Sequence, residues 1–206
     1  MDDKAATRDR ILEAAINRIK HYGYGKTTMA EIAADCAMSP GNIYRFFEAK
    51  IDIAEAIARN HDAEMQTRMA AVARRKELPA DQRLREILGT KLRENYNLLS
   101  AMPKIVELVD VVRRERPMMI NEEKAHERVF LVQILRDGIE AGQFSMADPE
   151  LTAEMIQVAT MKFVYPQLYS NLTLPKLERE FQGVMDLILN GISVHQHAPV
   201  LTANEN

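Results

Sequence analysis

Residues 28–50, TMAEIAADCAMSPGNIYRFFEAK, constrain the fold of this chain most, because they are typical of two short helices separated by a tight turn. Thr28 and Glu31, three residues later, match a capping box, so a helix is predicted to begin there. Ser39 and Pro40 then supply a second N-cap with proline at the first helical position. A second helix of about seven residues is therefore predicted to start at Pro40.

Two short helices joined by a turn of about four residues form a helix-turn-helix, whose second helix enters the major groove of DNA with its N-terminal residues leading. The distribution of charge fits a DNA-binding end of the molecule. The net charge is −3 overall, but residues 4–50 carry eight Lys and Arg against five acids, whereas residues 51–206 carry 19 against 23. A basic segment on an acidic remainder is expected of a protein that contacts phosphate at one end.

The composition indicates a folded globular protein, since 47% of the 206 residues are hydrophobic. No apolar run approaches 18 residues and no secretory leader is recognisable, so we expect a cytoplasmic protein without a membrane partner. The single cysteine, Cys36, cannot form a disulfide within the chain. It is expected to pack as a small apolar side chain.

Helical periodicity and regularly placed prolines predict helices along the rest of the chain, and no alternating strand pattern appears between them. A helix that couples the first segment to the rest is predicted after Lys50, and Pro166 is expected to kink or end a later one. The predicted helical segments are 50–76, 79–101, 103–115, 117–141, 149–169 and 174–194.

An ordered set of sixteen residues spans the N-terminal segment. The set consists of Ile11, Leu12, Ala14, Ala15, Gly23, Tyr24, Thr27, Thr28, Ile32, Ala33, Ser39, Gly41, Ile43, Tyr44, Phe47 and Lys50. In identity, order and spacing it resembles the N-terminal pattern of the TetR family of transcriptional regulators. The chain departs from that pattern at Ala37, where the family usually has glycine, and alanine carries a steric penalty if the turn needs positive φ.

The resemblance implies an all-α fold of about nine helices. An N-terminal three-helix DNA-binding domain with a helix-turn-helix, residues 1–50, would be followed by a helical ligand-binding and dimerisation domain, residues 51–195. The tail, residues 196–206, lacks a pattern and is expected to be disordered.

The resemblance also assigns contacts with DNA to the helix-turn-helix. A base-reading role falls on Pro40, Gly41, Asn42 and Tyr44, and a phosphate-binding role on Thr28, Ser39, Tyr44, Arg45 and Lys50. The chemistry agrees, because glycine lets the backbone approach closely, an amide can face a base edge, and hydroxyls at helix N-termini bind phosphate. The alternative is that Tyr44 and Arg45 only cover the surface.

The C-terminal part of the chain predicts two further sites. Methionine and aromatic side chains mixed with polar ones suit an adaptable apolar pocket, although most such residues belong to a core. The predicted pocket residues are Asn95, Tyr96, Met102, Phe130, Gln133, Met161 and Tyr165. The apolar face of the last helix is wider than packing against its own core requires. The resemblance implies that the last two helices pair with those of a second subunit. The predicted interface residues are Met155, Leu177, Phe181, Val184 and Ile188.

These observations predict a homodimeric, ligand-responsive transcriptional regulator, most simply a repressor, that binds a palindromic double-stranded operator and is released by an unknown small-molecule effector. No catalytic constellation is recognisable, and we expect no enzyme activity, no cofactor and no bound metal. Glu123 and His126 form half of a di-iron motif, but no other histidine supplies the second half. Two alternatives remain open: an all-α metal-dependent enzyme, and a helical adaptor without DNA binding.

Overall fold

The computed structural model describes residues 2–169 and 171–194. In this part of the chain ten α-helices follow one another without a strand, and one isolated bridge joins Phe144 to Ser193. The helices are α1 Asp2–Tyr22, α2 Met29–Asp35, α3 Pro40–Ile43, α4 Lys50–Ala73, α5 Ala80–Ala101, α6 Ile105–Glu115, α7 Pro117–Glu140, α8 Pro149–Thr160, α9 Pro166–Tyr169 and α10 Leu174–Ile192.

The all-α prediction is confirmed, and the predicted helices recur with boundaries that differ by a few residues. The segment predicted as one helix up to Tyr169 is interrupted: α8 ends at Thr160, a 3₁₀ turn covers Met161–Phe163, and α9 begins at Pro166. Counted as a single interrupted element, it brings the described helices to the predicted nine. The predicted disordered tail, residues 196–206, lies outside the described residues.

The head, α1–α3, has its own apolar core. The predicted capping box is present at Thr28, whose hydroxyl accepts from the Glu31 amide at 3.3 Å while Glu31 Oε2 accepts from the Thr28 amide at 2.9 Å. Cys36 is half-buried against the core, and burial raises the pKa of its thiol. The core combines residues of all three helices and of early α4: Ile11, Leu12, Ala15, Met29, Ile32, Ala33, Ile43, Phe47, Ile53 and Ala56.

The turn between α2 and α3 contains Ala37 with φ +54°, a left-handed conformation that favours glycine. Helix α3 ends at Ile43, earlier than predicted, because the chain tightens into hydrogen bonds between residues three apart. The Arg45 amide donates to the Asn42 carbonyl at 3.1 Å and the Phe46 amide to the Ile43 carbonyl at 3.0 Å. This tightening changes the direction of the chain before α4 begins.

The body, α4–α10, packs around a larger core. Phe163 meets Phe181 edge to face, with ring centroids 5.6 Å apart, and joins the 3₁₀ turn to α10. The buried Arg83 donates to the Ala73 carbonyl and to Asp137, each at 2.8 Å, and so ties the end of α4 to α5 and α7. None of the described helices is both long and apolar enough to cross a membrane.

Head and body meet in a third apolar cluster, to which the head contributes Ile19 and Tyr24 and the body Ala54, Ile105 and Leu108. Helix α4 runs through this junction without a flexible linker. The predicted division at residue 50 falls on the first residue of α4 and stays a prediction.

Candidate DNA interface and internal cavity

The N-terminal end of α3 lies at the surface of the head. Ser39, Pro40 and Gly41 are exposed, and Tyr44 is 54% exposed. A Cβ atom placed on Gly41 would meet nothing within 4 Å, so its backbone is open to close approach. Ile43 and Phe47, on the other side, are buried in the core of the head. This burial fixes the rotation of α3 and therefore which side chains face outward.

Several polar side chains of this surface make no hydrogen bond or ion pair within the described part of the chain. Ser39 occupies the N-cap position, as predicted, but its side chain makes no capping hydrogen bond. In the part of the chain that the structure describes, the side chains of Ser39, Asn42, Tyr44 and Arg45 have no hydrogen-bond or ion-pair partner. At an exposed surface such groups are hydrated, and base edges or phosphate oxygens can replace that water. Ser39, Tyr44 and Arg45 are exposed and Asn42 is half-buried, so these side chains at and just after α3 are available for contacts with DNA.

Thr28 is exposed at the start of α2, but its hydroxyl is already engaged. It donates to Glu31 Oε2 at 2.8 Å in addition to accepting from the Glu31 amide. Hydrogen bonds to Thr28 hold the pKa of Glu31 below its usual value, so this carboxylate stays charged. A phosphate at Thr28 would share the hydroxyl with a neighbouring negative charge, which makes it the least favoured of the predicted phosphate contacts.

The structure corrects the prediction for Lys50. Its ammonium lies inside the turn before α2, where it donates to the carbonyls of Tyr24 at 2.7 Å and Thr27 at 2.8 Å and lies 4.2 Å from the centre of the Tyr24 ring. Burial lowers its pKa. Lys50 therefore acts as an internal tie between α4 and the head, and this ammonium is not presented to DNA in this conformation.

A cavity of about 490 Å³ opens between the head and the body. Its wall takes Leu12 and Ile16 from α1 and further apolar side chains from α4, α5, α6 and α7. These side chains include Ile57, Met102, Leu108, Val112 and Met119. We call it the central cavity. Because α1 belongs to the head, anything bound there would contact both parts of the molecule.

The predicted pocket residues divide into two groups. Asn95, Met102 and Tyr165 line the central cavity, and Met161 lines a smaller adjoining one of about 220 Å³. Tyr96 and Phe130 instead pack against the core of the body, and Gln133 is half-buried on α7 away from both cavities. The prediction for these three residues is corrected accordingly, since composition alone does not separate pocket from core.

The charged end of the central cavity was not predicted from the sequence. The buried Lys91 ammonium donates to Glu127 Oε2 at 2.7 Å and lies 3.1 Å from Glu123 Oε1. Burial opposes its charge, but Glu127 and Glu123 outweigh burial and raise its pKa. The pKa of the neighbouring Tyr165 is raised by burial and by Glu123, so its hydroxyl stays protonated.

A signal for this group was present in the sequence. Leu84, Leu88, Lys91 and Asn95 recur at helical spacing, so the lysine shares the apolar stripe of α5 that turns inward. A lysine at such a position needs a buried partner of opposite charge.

Glu123 and His126 are not arranged as a metal site. Glu123 pairs with Lys91, whereas His126 Nδ1 lies 2.9 Å from Gln66 Nε2 and 3.6 Å from Asp62 Oδ2. Among the described residues, no group of three or more His, Cys, Asp or Glu side chains is placed to hold a metal ion.

The predicted interface residues fall into a buried group and a group that reaches the surface. Leu177 and Phe181 are 0% and 1% exposed inside the protomer, so a second subunit cannot reach them, and the prediction for these two is corrected. Met155 is 50% exposed on α8, and Val184 and Ile188 are half-buried on α10. Exposed apolar neighbours that the sequence analysis did not single out extend this surface: Leu151, Val158 and Leu187. Leu187, at 77%, is the most exposed of them.

A helix-turn-helix head with an exposed second helix, joined without a flexible linker to a larger helical body, is the architecture of a DNA-binding regulator. The family model described as bacterial regulatory proteins, tetR family, matches residues 11–57, and that described as tetracyclin repressor-like, C-terminal domain, matches residues 80–185. The chain belongs to the TetR family. It is a DNA-binding transcriptional regulator and not an enzyme.

Similar proteins cover most of the chain. An uncharacterised HTH-type transcriptional regulator of Bacillus subtilis, YhgD, is 27% identical over 196 residues, covering 90% of this chain and 96% of the relative. SmeT, the repressor of the Stenotrophomonas maltophilia multidrug efflux pump SmeDEF, has a similar structure with a TM-score of 0.69 at 20% identity, covering 99% and 98% of the two chains. A TetR-family regulator of Pectobacterium atrosepticum reaches 0.70 at 21% identity, covering 94% and 97%.

Proposed function

We propose that this regulator is a homodimeric repressor that binds a palindromic operator through the N-terminal end of α3 and leaves it when a small molecule occupies the central cavity. The observation that carries the proposal is the set of side chains at Ser39, Asn42, Tyr44 and Arg45, which are unpaired in the described structure. Polar groups of this kind along and just after a recognition helix suit base edges and phosphate oxygens.

The surface of α8 and α10 supports the dimer. On α8, Leu151, Met155 and Val158 are each at least half exposed and recur at a spacing of four and three residues, so they share one face. On α10, Leu187 is 77% exposed between two glycines, Gly183 and Gly191, whose surroundings are open. A two-fold contact would cover this apolar surface and present two heads to half-sites about one helical turn apart.

The position of the central cavity supports release by a ligand. Leu12 and Ile16 belong to the head, whereas Met102 and Val112 belong to the body, so an occupant would touch both. A ligand shifts a conformational equilibrium only by binding its states with different affinity. A cavity whose shape depends on the angle between head and body meets that condition. The solved complex of SmeT with triclosan supports small-molecule binding in a protein of this fold.

The test of this function is a mobility-shift assay on the DNA that flanks the gene of this protein, with an unrelated fragment of equal length as competitor. We expect a retarded complex at low salt that survives excess competitor, and a reporter gene placed behind the bound site should be repressed. Equal affinity for both fragments would contradict an operator, and activation of the reporter would contradict repression. Arg45→Ala should weaken the retarded complex, and Arg136→Ala, an exposed change on α7, is its matched control.

A further inference from the structure

We propose that the central cavity selects a lipophilic cation and that the Glu123 carboxylate faces its charge. The inference rests on the proposed function only in taking this cavity as the effector site. It is carried by the charges that line the wall, by the pairing of the buried lysine, and by the size and apolar character of the remaining surface.

The pairing of Lys91 argues against an anionic ligand. Among the described residues that line the cavity, Lys91 is the one lysine or arginine. Its ammonium already lies between Glu127, at 2.7 Å, and Glu123, at 3.1 Å. The group of three carries a net negative charge, so a ligand carboxylate or phosphate would meet more repulsion than attraction there.

The rest of the wall adds negative charge. The carboxyl side chains that line the cavity are Asp9, Glu13, Asp62, Glu64 and Glu123, of which Glu64 lies 3.9 Å from the Arg68 guanidinium. Asp9 and Glu13 come from α1 of the head and have no ion-pair partner within the described part of the chain. Asp62 accepts a hydrogen bond from Gln66 at 2.7 Å and lies 3.6 Å from His126 Nδ1, so its charge is uncompensated when that histidine is neutral. A cation inside this cavity would therefore be favoured from several directions.

The remaining wall suits a bulky apolar body. The volume of about 490 Å³ lies within the range of cavities that enclose drug-sized molecules. Leu12, Ile16, Leu108, Val112 and Met119 supply aliphatic and thioether groups, and methionine adapts to irregular shapes. A neutral apolar compound would fill the space but would leave the excess negative charge unmatched. A molecule with aromatic or alkyl groups around a positive centre satisfies both parts of the wall.

Two probes of nearly equal shape and opposite charge test the inference: tetraphenylphosphonium and tetraphenylborate, titrated into the full-length protein by isothermal calorimetry. We expect the cation to bind at least about tenfold more tightly than the anion. Glu123→Gln removes the charge and keeps the size of the side chain, so phosphonium affinity should fall about tenfold. Glu122→Gln is the matched control, because Glu122 is exposed, pairs with Arg59 and does not line the cavity.

The outcomes distinguish the charge assignment of the cavity from the proposed function. Equal or tighter binding of the borate overturns the charge assignment and leaves the cavity free to serve another class of effector. Equal losses in Glu123→Gln and Glu122→Gln also overturn it, because binding would then follow overall charge. Absence of phosphonium binding in a protein that still binds its operator overturns the inference alone, whereas loss of operator binding with intact phosphonium binding overturns the proposed function alone. If Glu123→Gln lowers the melting temperature, Asp62→Asn, on another wall of the cavity, provides the second test.

Discussion

The backbone amide of Gly25, in the turn between α1 and α2, donates a hydrogen bond of 3.0 Å to the Glu107 Oε1 on α6. A Cβ atom on Gly25 would lie 2.8 Å from that oxygen, and one on Gly23 would lie 2.8 Å from Glu107 Oε2. Both glycines therefore permit the carboxylate to approach the backbone of the head. Glu107 links the head directly to a helix that lines the central cavity, since Leu108 and Val112 follow it on the same helix.

Replacing Glu107 should loosen this link. We expect Glu107→Ala to lower the free energy of unfolding by about 0.5–1.5 kcal/mol, the usual net contribution of one hydrogen bond, and to speed hydrogen exchange at the Gly25 amide. Asp110→Ala on the same helix is the control, because among the described residues Asp110 pairs with Arg113 and Arg114 alone, at the surface. Unchanged exchange at Gly25 in Glu107→Ala would show that this contact does not hold the turn.

Ala37 should be a point of stored strain, because a φ of +54° costs an alanine about 1–2 kcal/mol relative to glycine. Ala37→Gly is therefore expected to raise the free energy of unfolding by about 0.5–1 kcal/mol after the greater freedom of the unfolded glycine is counted. Ala34→Gly, the same change inside α2, should destabilise by about 0.5–1 kcal/mol. Chemical denaturation of both variants gives the comparison, and destabilisation by Ala37→Gly would contradict the assignment.

Much of the fold follows from local signals in the sequence. The capping box at Thr28, the helix starts at Pro117 and Pro149, and the end of helix before Pro166 depend on residues close together in the chain, and the structure confirms them. The prediction that the turn at Ala37 could need positive φ also rests on local geometry. Such signals act within a few residues, so a single sequence contains them.

The predictions that differ from the structure concern the tertiary contacts of individual side chains. The spacing of α10 identifies an apolar face but not how much of it a protomer covers, and Leu177 and Phe181 are covered by the body itself. Lys50 stands where a phosphate contact was expected, yet its ammonium turns inward to carbonyls more than twenty residues earlier. The partners of Lys91 are 32 and 36 residues away on α7. Patterns that extend over a few residues do not identify contacts between segments that lie far apart in the chain.

Lys50 and Arg45 should differ in their effect on the salt dependence of DNA binding. Each phosphate that a protein neutralises releases counterions, so Arg45→Ala should reduce the slope of log affinity against log salt by about one. Lys50→Ala should leave the slope nearly unchanged and lower the free energy of unfolding by about 1–2 kcal/mol, because two carbonyls lose a charged donor. Fluorescence anisotropy at several salt concentrations measures the slopes. A reduced slope in Lys50→Ala would mean that its ammonium turns outward when DNA binds.

A substitution at the exposed Leu187 tests the proposed dimer surface better than one at the buried Phe181, which would disturb the core of the protomer. Leu187→Arg places a charge on the most exposed apolar residue of α10, so we expect the mass in solution to fall from twice 23.5 kDa to that of one chain. Val129→Arg is the control, since Val129 is 63% exposed on α7, outside the surface formed by α8 and α10. Light scattering at micromolar concentration measures the mass. A wild-type monomer under these conditions would contradict the proposed dimer.

Tyr44 is expected to contribute affinity without sequence preference. Its hydroxyl is exposed and unpaired in the described structure, and a hydrogen bond to a charged phosphate contributes about 1.5–3 kcal/mol. Tyr44→Phe keeps the ring and removes only this group, so operator affinity should fall about tenfold or more. The loss should be similar for the operator and for its single-base variants. Tyr22→Phe, which changes another exposed tyrosine on α1, is the control.

Asn42→Ala should change the sequence preference of DNA binding, whereas Tyr44→Phe should lower affinity for all sequences. The difference between the two variants tests the orientation of α3 in the groove. The Asn42 amide lies nearer the start of the helix and has no partner in the described structure, so it is placed to meet a base edge. A mismatched base pair costs about 1–3 kcal/mol, and Asn42→Ala should abolish this discrimination at one position of each half-site. Titration of both variants against a complete set of single-base operator changes, followed by fluorescence anisotropy, separates the two effects. If Tyr44→Phe altered the preference at one base pair while Asn42→Ala weakened all sequences equally, the two roles would be exchanged, and α3 would be rotated about its axis relative to this assignment.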